Sequence, residues 1–159
     1  MSDSDDPKNI ISEAERDTLR GLTYMETQKN KILQKRETNK RLVKKANEFF
    51  LNDPKAYQKF CNINNGSNVD ITLPMIDFFL KHGPSDVKKK YHDVLGEYGN
   101  DYFNIYQRKQ GTPIDIKGIM TSVAQYNAFR WLFELGVFHR VERDCKTIKK
   151  NMIEFYKPK

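Results

Sequence analysis

Eight cations fall within the seventeen positions from Lys29 to Lys45: Lys29, Lys31, Lys35, Arg36, Lys40, Arg41, Lys44 and Lys45. Ammonium and guanidinium groups at this density suit one task above others. They neutralise phosphates, in contacts that release counterions and carry no sequence information. On a helix, Lys31/Lys35, Arg36/Lys40, Lys40/Lys44 and Arg41/Lys45 stand at i,i+4, where each like-charge pair costs roughly a few tenths of a kcal/mol. Glu37, four before Arg41, offsets part of that repulsion. A polyanion relieves the rest, although an ordinary solvated helix face carries the same pattern.

A second set of donors lies near the C-terminus. Val141, Cys145, Ile148 and Met152 recur at steps of four, three and four, the stripe of an amphipathic helix. Arg143, Lys146, Thr147 and Lys150 fall on its other side, with Arg140 and Asn151 beside them. An apolar helix precedes this one across Gly136, which gives the pair a helix-turn-helix character. In such motifs the second helix enters the major groove, where these side-chain types reach base edges and Arg140 would clamp a phosphate.

Other chemistries find little support. His82, His92 and His139 have no ligand spacing with one another or with Cys61 and Cys145, so no metal site is expected. Gly96-Glu-Tyr-Gly99 is too short for a dinucleotide loop and has no P-loop lysine. The Asn-rich stretch 62–68 lacks the twelve-residue calcium spacing and its final Glu. Cys145 belongs to the apolar stripe, and Ser12, Ser67, Ser85 and Ser122 have no neighbouring His-acid set. Neither a catalytic residue nor a cofactor is predicted.

The charge is unevenly placed. The chain of 159 residues carries a net +7, which favours nucleic acid or an acidic protein as partner. Residues 1–20 hold six acidic and three basic side chains, whereas residues 21–60 hold ten basic and four acidic ones. The acidic start has no signal-peptide character, and no stretch approaches the roughly 20 apolar residues of a membrane span. The expected setting is intracellular, nuclear or cytoplasmic, or inside a particle, without membrane contact.

These groups need rigid elements to carry them. Residues 1–11 read as a disordered acidic tail. Ser12-Glu-Ala-Glu15 reads as a capping box that opens a helix running to Leu51, kinked or broken near Gly21. Between Glu26 and Arg41 only Ile32 and Leu33 are strongly apolar, so residues 12–41 form an extended basic arm, and these two side chains are candidate protein-interface anchors. Asp53-Pro54 and Thr72 start two further helices. Met75 to Leu80 are apolar nearly all round, which predicts a buried helix ended by Gly83-Pro84; Ser85 or Asp86 starts another. Ile119 to Leu135, with the only tryptophan, Trp131, reads as the central core helix. Ile114 and Ile116 either begin it or run extended into it.

The expected fold is all-α: a compact helical domain over residues 42–159, preceded by the arm and ending in a helix-turn-helix-like pair. The expected function is that of a small, basic, non-catalytic accessory or scaffold protein that binds nucleic acid through phosphates. The alternative is a structural component that binds protein partners or its own copies in an assembly and never touches nucleic acid.

Overall fold

The computed structural model of the protein describes residues 12–107 and 112–158. Six helices and one hairpin follow in the order α1 (Glu13–Asn52), α2 (Pro54–Asn64), α3 (Leu73–His82), α4 (Ser85–Tyr98), β1 (Pro113–Ile116), β2 (Ile119–Ser122), α5 (Val123–Glu134) and α6 (Val137–Phe155). The all-α expectation holds, with a two-stranded antiparallel hairpin added. The chain divides into two units, Met1–Lys40 and Arg41–Lys159. The predicted acidic tail, residues 1–11, lies outside the described residues.

In the first unit the described residues form helix alone. Ser12 Oγ accepts from the Glu15 amide at 3.1 Å, so the predicted cap is made. The helix runs unbroken through Gly21, contrary to the expected kink. Thr18, Thr23, Thr27 and Thr38 each turn the hydroxyl back on the carbonyl four residues earlier, at 2.9–3.0 Å. Such bonds satisfy a polar side chain without an outside partner. No described residue up to Lys40 is buried.

The second unit holds the core. From α1, Leu42, Ala46 and Phe50 turn inward. Asp53 caps α2 by accepting from the Ala56 amide, with Pro54 in the first turn. Thr72 caps α3 in the same way, with Met75 as donor. The five apolar residues predicted to bury α3, Met75, Ile76, Phe78, Phe79 and Leu80, do so. Helix α5 is the centre: every residue from Val123 to Leu132 is buried. Aromatic rings surround it, with Phe60 and Phe129 at 4.9 Å between centroids, Phe50 stacked on Tyr126 at 5.3 Å, and Phe103 edge-on to Trp131 at 5.2 Å.

One element departs from the sequence reading. Ile119–Ser122 is strand, not the start of the central helix, and it pairs with Pro113–Ile116. Lys117 and Gly118, both at positive φ (51° and 86°), form the two-residue turn, whose twist matches the right-handed twist of the paired strands. Asp115 fixes the turn by accepting from the Gly118 amide at 2.8 Å. Ser122 then caps α5 through the Gln125 amide.

Three polar side chains on buried α5 hold irregular chain. Gln125 Nε2 donates to the Ile105 carbonyl at 2.8 Å, and its Oε1 accepts from Thr121 and from Asn64. Asn127 Nδ2 donates to the Tyr102 carbonyl. Arg130 donates to Asn127 and pairs with Glu134. The Tyr102 and Ile105 carbonyls thus find partners in a stretch that is neither helix nor strand.

Candidate nucleic-acid interface

The two predicted basic surfaces fare differently. On the helix of the first unit, Lys29, Lys31, Lys35, Arg36 and Lys40 are all exposed. Arg41, Lys44 and Lys45, in the second unit, are exposed as well. Among the described residues none of the eight lies in an ion pair. No described carboxylate cancels their charge.

The C-terminal set is partly consumed. Arg140 Nη1 meets Asp86 of α4 at 2.6 Å. Arg143 donates through Nε at 3.1 Å and Nη2 at 2.8 Å to Asp144. The hydrogen bond from Arg140 holds the Asp86 carboxyl below its usual range, and that from Arg143 does the same to Asp144. Lys146, Thr147, Lys150 and Asn151 stay exposed.

The apolar stripe of α6 behaves as the spacing predicts, with Val141 and Ile148 buried and Cys145 and Met152 half-buried. Gly136 sits at φ 73° just after the end of α5, the left-handed position expected of it. Yet α6 is not straight. Asp144 has φ −108° and ψ 18°, which kinks the helix between Arg143 and Lys146. Neighbours on a regular helix do not face each other; the kink lets Asp144 fold onto Arg143. Thus the six predicted donors of α6 do not form one continuous reading surface.

The predicted interface anchors are exposed too, Ile32 at 54% and Leu33 at 47%. Leu19, Leu22 and Met25, nearer the start of the same helix, are at least half exposed as well. Helical phase carried the missing signal: at ~100° per residue, Leu22, Met25, Ile32 and Leu33 share one side of the helix.

A cleft of about 420 Å³ lies beside the hairpin, lined by Asn47, Tyr57, Asp115, Lys117 and Tyr126 among others. Tyr57 donates to the Ile116 carbonyl at 3.3 Å, and Lys117 stands 5.5 Å from the Tyr57 ring centroid. Burial, and then the Cys61 thiol, push the Tyr57 phenol up to about 12. Burial likewise raises Tyr126, whose hydroxyl is bound to Asn47 at 2.6 Å. Both phenols are neutral donors near pH 7, and both are occupied in holding structure. Among the described residues no group of His, Cys, Asp and Glu has the arrangement of a metal site. No described helix is long and apolar enough to cross a membrane. Comparison of the chain with protein-family models, with curated proteins and with solved structures finds no match.

Proposed function

We propose that this protein is a small, non-catalytic accessory or scaffold protein that binds nucleic acid through the phosphate backbone, chiefly with the cations of α1. One observation carries the reading: Lys29 to Lys45 display eight exposed positive charges with no carboxylate partner among the described residues. Arg140 and Arg143 provide the contrast, since each already has such a partner. The reading therefore rests on α1, with Lys146 and Lys150 as secondary contacts. Contacts of this kind predict weak sequence preference and a strong salt dependence.

The test is binding of the full chain to a random duplex and a random single strand across a salt series. A steep linear fall of log affinity with log salt supports the proposal. Failure to retain either polymer at low salt overturns it.

A protein-assembly role is the second reading. It is favoured by the exposed Leu22, Met25, Ile32 and Leu33 on a helix that buries nothing of its own up to Lys40. Apolar side chains add nothing to phosphate contact, whereas a protein partner removes them from water.

A further inference from the structure

We infer that two copies of this chain pair antiparallel through residues 13–40 of α1, about an axis between Thr27 and Gln28. The pair takes up the face of the helix that carries Lys29, Arg36 and Lys40 and leaves Lys31 and Lys35 for phosphate, and the inference does not depend on phosphate contact.

The exposed apolar residues mark the face. At ~100° per residue, Leu22, Met25, Ile32 and Leu33 lie within about 60° of one line along the helix. Each is about half exposed or more. An apolar line on a helix without a core of its own is stabilised when a second helix covers it.

Charge chooses the occupant and its direction. The same line carries Glu15 at its beginning, Glu26 and Lys29 near its middle, and Lys40 at its end. In a parallel pair Lys29 meets Lys29 and Lys40 meets Lys40, with Arg36 against Arg36, and every such contact is repulsive. Reversing the second copy removes this. With the axis between Thr27 and Gln28, Glu15 stands opposite Lys40 of the second copy, Glu26 opposite Lys29, and Leu22 opposite Leu33. Twofold symmetry makes each of these contacts twice. Arg36 then lies along Leu19 of the second copy, where its aliphatic stem covers apolar surface. The helix is its own complement, acidic where the reversed copy is basic.

The remaining cations fit this assignment. Lys31 and Lys35 fall about 200° and 240° from Lys29. They stay on the outer face of the pair, exposed and unpaired among the described residues. Pairing therefore leaves phosphate-binding charge on the outside of both copies.

A charge swap isolates the contact. Glu15 and Lys40 are 25 positions apart in one helix, about 38 Å at 1.5 Å per residue, so they cannot meet within a chain. Sedimentation of the full chain without nucleic acid should give a dimer whose dissociation constant rises about tenfold in Glu15→Lys or in Lys40→Glu alone, since each reverses two symmetric contacts. The double variant Glu15→Lys/Lys40→Glu should return to the parent value. Crosslinking tests the direction independently. In a Cys145→Ser background, oxidation of a mixture of Leu22→Cys and Leu33→Cys chains should give only the mixed disulfide. A homodimeric Leu22→Cys disulfide, a double variant without rescue, or a chain that remains monomeric up to high concentration overturns the inference. A monomer that still binds polyanions leaves the phosphate proposal standing; a dimer that binds none removes that proposal and keeps this one.

Discussion

Arg140 on α6 and Asp86 on α4 are 54 residues apart in sequence, yet guanidinium nitrogen and carboxylate oxygen stand 2.6 Å apart. The contact ties two helices and removes a cation from the outer surface. It explains why a donor that looks available in sequence is not available in the fold. Arg140→Ala should therefore leave nucleic-acid affinity and its salt slope nearly unchanged. Asp86→Asn should do the opposite of a loss. It frees Arg140 to meet a phosphate and should raise the salt slope by about one contact, read by titrating a labelled duplex at several salt concentrations. A fall in the slope on Arg140→Ala would show that Arg140 already meets the polymer, and no change on Asp86→Asn would place α6 away from it.

The Tyr57 hydroxyl anchors the hairpin carbonyl of Ile116, and its phenol is raised from 10.0 to about 12 by burial first and the Cys61 thiol second. Between pH 10 and pH 12 the folded chain keeps a proton that the unfolded chain has lost. Stability from this group is thus complete below pH 10 and lost as pH rises through 12. Tyr126 is raised in the same direction by burial, so it adds to the decline. The thermal midpoint should fall across this window, and Tyr57→Phe should fall less steeply than the parent. Parallel curves for the two proteins would contradict the assignment.

Much of the second unit was readable because its signals are local. Asp53-Pro54, Thr72 and Gly136 specify their own turns of backbone, and each does so here. The hairpin was missed because four-residue strands give too little alternation to outweigh the apolar run that follows Ile119. The neutralised arginines were missed for two reasons. Asp86 is distant in sequence, and Asp144 reaches Arg143 only because the helix kinks at that residue. The polar residues of α5 were also invisible: Gln125, Asn127 and Arg130 sit in an apolar segment, and only the fold shows which backbone they hold.

Gln125 makes that last point measurable. It bridges α2, the 101–107 segment and β2 by contacts with Asn64, Ile105 and Thr121, all within 2.8 Å. Gln125→Leu has similar volume but leaves the Ile105 carbonyl and the Thr121 hydroxyl without this partner. Each unmet buried group costs about 1–3 kcal/mol, so with two of them the variant should lose about 2–6 kcal/mol in denaturant unfolding. Because the site is far in chemistry from the exposed lysines, polyanion affinity of the remaining folded protein should not change. A neutral substitution would mean that solvent reaches these groups.

Lys31 and Lys35 separate phosphate contact from self-pairing. They are exposed, lie one helical turn apart, and have no carboxylate partner among the described residues. Their mutual repulsion in the free helix is relieved when phosphates lie along that face. Replacing both with alanine removes two countercharges and slightly favours the helix, so the fold should be retained or strengthened. The log–log salt slope for duplex binding should shrink by about 2 for each chain engaged, near 0.9 per lost contact. Sedimentation of the same variant should still report the parent association state, because neither lysine is on the Leu22–Leu33 line. An unchanged slope would move the phosphate contacts off this face; a changed association state would place Lys31 and Lys35 in the helix pair instead.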